Sequence, residues 1–275
     1  MIRQLILCAS LGVVVLACDS TATTDEDRSL VVQAFLYADE PVDDVYLTLT
    51  IPFGEEAETP EAVDDATIAL LKNGQRYALA PMPDEPGRYH YAGDDLAVKE
   101  GDTFNLEVEA SGQVLLASTT VPAPPIALAT TGPELKVPNF DSNGRPVGGI
   151  DGLSDVYSVT WTNNSEDYHY VVLESMIELD PEYILPDFIR SFFDGFEIVT
   201  EPTRANYFDV RPISLEVMGA HRVTVYRVNN EYADLYDNQD QDSRDLNEPP
   251  TNIEGGLGLF TAFNGASTTF NVVRE

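Results

Sequence analysis

Residues 66–79 read ATIALLKNGQRYAL, and this stretch decides the fold. Two runs, Ala66–Leu71 and Arg76–Leu79, flank Lys72-Asn73-Gly74-Gln75. Asn-Gly between such runs is the strongest short hairpin signal, because the two-residue turn needs positive φ at both central positions. The same pattern extends in both directions. Upstream, Ser29–Tyr37 (SLVVQAFLY) is an apolar, β-branched run. Asp44–Ile51 (DVYLTLTI) alternates cleanly, with Val45, Leu47 and Leu49 on one face and Tyr46, Thr48 and Thr50 on the other. Phe53 to Asp65 is an acidic loop. Downstream, Gly87–Tyr91 (GRYHY) is a short strand, and Lys99-Glu100-Gly101-Asp102 turns into Thr103–Ala110. Ser111-Gly112 then reverses the chain into Gln113–Val121. Roughly seven strands in about ninety residues is the density of an immunoglobulin-like or transthyretin-like sandwich.

Pro122-Ala123-Pro124-Pro125 ends this module. Proline fixes φ and donates no hydrogen bond, so the stretch reads as a stiff domain junction, or else as a Pro-rich strand edge within one domain. The junction reading divides the chain into residues 29–122 and 126–275. These are two tandem antiparallel β-sandwich modules, the second with one or two short helices, so the expected class is mainly β. After a Gly/Pro/Asn-containing stretch from Gly132 to Gly152, Val156–Thr162 and Tyr168–Met176 are strands, with Trp161 in the core. Leu179 to Gly195 has helical spacing that Pro186 interrupts, leaving short turns. Asn206–Pro212, Ile213–Met218 and Arg222–Asn229 are further strands. Asn230–Asp237 reads as a short helix, capped by Asn229 or Asn230, with Tyr232, Leu235 and Tyr236 along one face. The chain closes with Thr251–Asn264 and a last strand, Thr268–Val273.

The first eighteen residues, MIRQLILCASLGVVVLAC, speak to location. Arg3 precedes a nearly unbroken apolar run, Leu5 to Leu16, which suits a signal peptide and is shorter than the roughly 20 residues of a spanning helix. Val15-Leu16-Ala17-Cys18 resembles the lipobox of bacterial lipoproteins, with Leu16 bulkier than usual. That resemblance implies cleavage after Ala17, lipidation of Cys18, and a mature chain beginning there. An ordinary secretory leader with a stray cysteine is the plainer alternative. Cys8 and Cys18 are the only cysteines, so a mature chain starting at Cys18 forms no internal disulfide. Residues 18–28 form a polar, acidic tether, either a plain solvated linker or one resembling the surface-export signal of some lipoproteins.

The 275 residues are 43% hydrophobic, enough for one or two cores, and carry a net charge of −32. Lys72, Lys99 and Lys136 are the only lysines. Nucleic acid is excluded as an expected partner, because binding it requires clustered Lys or Arg. Acid spread along the chain with scarce lysine resembles proteins of high-salt habitats, where screening relieves carboxylate repulsion.

No catalytic constellation stands out. His90, His169 and His221 have no metal-ligand spacing, and no zinc-binding cysteine accompanies them. His90 and His169 lie between tyrosines and read as partly exposed sheet residues. No metal or cofactor is expected. Asp237 to Glu248 has Asp245 and Glu248 at the ninth and twelfth positions of a calcium loop. Gln239 and Gln241 stand at the third and fifth, and Asp242 replaces the required glycine, so a solvated acidic loop is the default. Gly255-Gly256-Leu257-Gly258 lacks the Lys-Ser/Thr of a phosphate loop and reads as a tight turn or bulge. The aromatic-rich Tyr183–Phe196 is the best sequence candidate for a contact surface, with packing against its own sheet as the alternative.

Several stretches taken in order carry a resemblance: VVQAFLYADEPVDDVYLTLT, GRYHY, KEGDTFNLEVEASG, STTVPAPP, and the ending VTVYRVNNEYADLYDNQ with PPTNIEGGLGLFTAFN. They look like a Bacteroidota-type family of outer-membrane lipoproteins known only as a domain of unknown function (four-two-four-nine), often encoded beside TonB-dependent receptors. The resemblance brings no catalytic residues. It implies a lipid-anchored, non-enzymatic binding or accessory protein at the outer membrane, on its periplasmic or surface face, assisting a TonB-dependent receptor in nutrient uptake. The alternative is a lipid-anchored hydrolase acting on glycans through paired carboxylates.

Overall fold

The computed structural model describes residues 28–52, 59–141, 145–147, 156–177, 179, 181–184, 197–237 and 250–275. Ala17, Cys18 and residues 19–27 of the expected tether lie outside these residues, as do 238–249 of the acidic run and most of 179–195.

The protein is mainly β. Its first strands are β1 (Leu30–Tyr37), β2 (Asp44–Leu49), β3 (Thr67–Lys72), β4 (Gln75–Pro81), β5 (Arg88–His90), β6 (Thr103–Ala110) and β7 (Gln113–Thr120). Asn73 (φ 52°) and Gly74 (φ 80°) form the expected β3–β4 turn. Ser111 (φ 51°) and Gly112 (φ 76°) repeat it between β6 and β7. β4 pairs with β3 in one sheet and, through Ala80 and Pro81, with β5 in the other, so it turns the corner of a sandwich. Strict alternation sends Leu30, Val32, Ala34 and Leu36 inward against Phe104, Leu106, Val108 and Leu115. Each such Leu or Phe contributes roughly 1.5–3 kcal/mol by leaving water. Tyr89 is fully buried, yet its hydroxyl donates to Val63 O (2.7 Å) and accepts from Ala66 N (3.1 Å), which pins the 62–66 segment over the core.

The second half adds β8 (Ile126–Thr130), β9 (Glu134–Val137), β10 (Tyr157–Thr162), β11 (Tyr168–Ser175), β12 (Glu197–Val199), β13 (Tyr207–Val210), β14 (Gly219–Val228), helix α1 (Asn230–Asp237) and β15 (Leu257–Arg274). The sheet β13-β10-β8 packs on β11, β14 and the end of β15, enclosing Trp161, Val159, Val171, Leu173, Val223, Val225 and Phe270. Ile213–Met218 is not the expected strand. Pro212–Ser214 is a 3-10 turn, and Val217 makes an isolated bridge to Tyr183, outside the named strands. Pro212 has no N–H to give a ladder, which is why pairing lapses there.

The largest departure from expectation is β15. The two closing strands are one strand of 18 residues. Its first part lies parallel to β1, from Val31↔Leu257 to Tyr37↔Phe263. From Phe263 to Val272 it runs antiparallel to β14, and its last residues pair in parallel with β9. Phe260 and Ala262 serve the first core, while Phe270 and Val272 serve the second. Just upstream, Glu254 bridges Leu116 of β7, so the first sandwich is tied shut at the edge opposite β4.

The glycines before β15 make this closure possible. A Cβ on Gly255 would lie 2.4 Å from Val114 O, on Gly256 2.9 Å from Leu30 O, and on Gly258 1.9 Å from Val32 O. The turn anticipated from the sequence is therefore also a close crossing, with β15 threaded between β7 and β1.

Candidate functional site

Because β15 pairs with β1 and β14 without a break in register, the odd-numbered side chains near its middle share one face of the sheet, opposite the cores. Phe35 and Tyr37 of β1 stand beside Thr261 and Phe263. Tyr226 stands opposite Gly265, and Tyr170 and Tyr168 of β11 stand opposite Tyr226 and Val228. On the other side, Asp44 and Tyr46 of β2 continue the face, and Arg88 of β5 stands opposite Tyr46. Gly265 is required here: a Cβ would lie 2.8 Å from the Tyr226 ring. The ring covers the bare strand, as aromatic residues do beside sheet glycines.

Helix α1 lies over part of this face. Tyr232 meets Phe263 edge-on at 4.9 Å, contacts Tyr170 at 5.9 Å, and hydrogen-bonds Tyr236 through the hydroxyls (3.2 Å). Asn229 starts the helix with its carbonyl. Its side-chain amide is turned outward and donates to Thr119 Oγ1 and Thr120 O, both at 3.0 Å. The helix is thus fastened to the end of β7. Tyr37 stacks on Phe263 (4.9 Å) and meets Tyr226 edge-on (5.8 Å), while Tyr226 and Tyr170 stack at 5.0 Å. Phe263 and Tyr170 are buried; Phe35, Tyr37, Tyr168, Tyr226, Tyr232 and Tyr236 remain half-buried.

Burial, with Asp44 adding to it, pushes the Tyr37 hydroxyl up to about 12. Burial also raises Tyr170 and Tyr232. These hydroxyls therefore stay neutral near neutral pH, able to donate and accept hydrogen bonds. At the rim, burial raises Asp44 against the opposing pull of Arg88, and burial together with Asp43 raises Glu40. The face offers ring surfaces, neutral hydroxyls and incompletely solvated carboxylates, which is equipment for binding.

At the helix N-terminus lies an open polar cleft of about 440 Å³. Ser118, Thr119, Thr120, Asn229 and the Arg227–Asp167 ion pair (2.7 Å) line it. Asn264 Nδ2 donates to Pro122 O (2.8 Å) nearby, which joins β15 to the Pro-rich stretch.

The histidines are not brought together. His90 is half-buried as expected, but His169 and His221 are both 2% exposed. On β11 and β14 their positions face the second core. His169 lies beside Trp161 and bonds Asp167 O (3.0 Å); His221 stacks on Phe270 and bonds Gly219 O (3.1 Å). Burial lowers both pKa values. Among the described residues no group of three or more His, Cys, Asp or Glu is placed to hold a metal. Of Tyr183–Phe196, only Tyr183 and Ile184 are described. Ile184 is buried in the second core, and Tyr183 O accepts from Arg274 Nη2 (2.9 Å). The tyrosine face was missed in the sequence although a signal existed: Phe35/Tyr37 and Tyr168/Tyr170 are aromatic pairs two apart in strands.

Comparison with curated proteins returns no match. Comparison with solved structures pairs the chain with domains A168-A170 from titin at 8% identity and a TM-score of 0.22, covering 90% of this chain and 66% of that one. A family model matches residues 19–269, well over half of the chain. The chain belongs to the family described as Domain of unknown function (DUF4249).

Proposed function

We propose that this protein is a lipid-anchored, non-enzymatic binding protein of the cell envelope, held at the outer membrane through Cys18. Its tyrosine face is presented to a partner such as a TonB-dependent receptor. The half-buried tyrosines of the shared sheet carry this reading. Tyr37, Tyr168, Tyr226 and Tyr232 place large, rigid amphipathic rings at the surface, the chemistry that dominates binding hot spots, and burial keeps the hydroxyls of Tyr37 and Tyr232 neutral. The lipobox-like end of the leader supports the anchor, since several acyl chains at about 0.8 kcal/mol per buried CH₂ do not readily leave a bilayer.

The test is a pull-down from solubilised envelopes with the lipidated protein as bait, beside Cys18→Ser and Tyr168→Leu. The reading expects a β-barrel transporter with the wild type, reduced recovery with Tyr168→Leu, and loss of membrane association with Cys18→Ser. Recovery of nothing by a folded bait, together with turnover of a glycan by the pure protein, would refute it in favour of the hydrolase alternative.

A further inference from the structure

The tyrosine face already holds two guanidinium groups of its own chain, one at each margin. Arg88 lies over the Tyr46 ring at 5.7 Å on the β2 side, and Arg204 lies over the Tyr168 ring at 4.4 Å on the β11 side. Between them stand Phe35, Tyr37, Tyr226, Tyr232 and Tyr236, with the carboxylates of Asp44 and Glu40 at the rim. Ring faces attract cations through their quadrupole, and partly desolvated carboxylates add to that attraction. The chain as a whole carries 47 acidic against 15 basic residues, so an anionic partner or a second copy is repelled while a cationic one is drawn in.

From this we infer that the tyrosine face is a docking surface for an arginine-bearing segment of a protein partner. The inference rests on the binding reading above and names the chemistry of what is bound. Arginine fits better than lysine because its planar guanidinium is weakly hydrated, stacks on rings and grips carboxylates through two parallel bonds. The two resident arginines show the geometry that the face accepts.

The probe is a blocked peptide of alternating Gly and Arg, titrated calorimetrically against the full-length mature protein in detergent. Its counterparts carry Lys, or the neutral isostere citrulline. The arginine peptide is expected to bind, and the citrulline peptide to bind at least about tenfold more weakly. Tyr236→Leu and Asp44→Asn should each weaken the arginine peptide roughly three- to thirtyfold. Glu134→Gln, exposed at the start of β9, should leave it unchanged. Near-UV circular dichroism checks that each variant is folded, and Asp44→Asn keeps the test open should Tyr236→Leu misfold. Absence of binding, equal binding of citrulline, or an equal loss in Glu134→Gln would overturn the inference. So would peptide binding that fades as the protein self-associates, which would give the face to a second copy. If the pull-down recovers a partner while the arginine peptide fails, the binding reading stands and this inference falls.

Discussion

Gly258→Ala tests the crossing that closes the first sandwich. The added Cβ would lie 1.9 Å from Val32 O, 2.7 Å from Val32 C and 2.9 Å from Val32 N. Real Cβ atoms essentially never approach within 3.0 Å, so β1 and β15 must separate by about 1.1 Å (3.0 − 1.9) at the pair Val32↔Gly258. The obstacle is backbone, so no side-chain rotation relieves it. Gly258 also sits at φ +114°, which an L-residue adopts at a cost of about 1–3 kcal/mol. Adding disturbed packing of Val32 and Phe260, both fully buried, gives an expected loss of about 3–5 kcal/mol. For a chain of this length that is a fall in Tm of roughly 6–20 °C.

Gly74→Ala is the control. It shares the positive φ (+80°), but its Cβ would meet nothing within 4 Å, so about 1 kcal/mol and roughly 2–4 °C are expected. The assay is scanning calorimetry of both variants beside the wild type. Equal falls in Tm would refute the argument, because conformation alone would then explain both and the close crossing would count for nothing.

Thr261 is fully buried, and its Oγ1 has no hydrogen-bond partner among the described residues. Thr261→Val should therefore stabilise by about 1 kcal/mol, raising the urea midpoint without changing m, and a lower midpoint would reveal a partner. Asn229→Ala removes two bonds between α1 and β7 and should cost about 1–2 kcal/mol, with faster amide exchange in α1; unchanged exchange would show that the helix is held otherwise. The pKa values of His169 and His221 are lowered in the fold, so the unfolded chain takes up protons first and stability is lost as pH falls below about 6.5. Replacing His221 with Gln should flatten the stability slope between pH 7.5 and 5.5, and an unchanged slope would mean that His221 protonates without unfolding. Asp44 and Glu40 act in the opposite sense: raised by burial, they favour the folded state as pH falls through their folded pKa values.

Local chemistry was legible wherever a few neighbouring residues decide the conformation. Asn73-Gly74 and Ser111-Gly112 require positive φ, and the alternation of β1, β2 and β6 separates core from surface without knowledge of any partner strand. Legibility failed where conformation depends on residues far along the chain. β9 is four residues beside Pro133 and Pro138, and it is a strand because Asn271 to Arg274 offer it a parallel edge. Residues 264–267 (NGAS) resemble a turn, yet they continue β15 because β14 pairs with every one of them. Gly265 is there to leave room for Tyr226, a reason that lies 39 positions upstream (265 − 226). The tyrosine face failed to show for the same cause, since it is assembled across five strands of one sheet.

That shared strand also bears on how the chain can be divided. Residues 29–122 hold β1 to β7, but their core is completed by Ile253, Phe260 and Ala262 from the far end of the chain. Burial of these three side chains is worth about 4–7 kcal/mol, a large part of the 5–15 kcal/mol that holds a typical domain folded. Without them β1 loses its partner on one side, and Leu116 of β7 loses its bridge to Glu254. A fragment ending at Pro125 is accordingly expected to remain unfolded, and joining residues 250–264 to it through a flexible linker should restore a cooperative melt. In the intact chain β15 makes the first core's loss felt in the second, because the strand that leaves β1 is the one that β14 and β9 pair with. A single calorimetric transition is therefore expected, displaced as a whole by Gly258→Ala. Two transitions, of which Gly258→Ala moves only one, would instead show two halves that fold independently and share a strand without sharing stability.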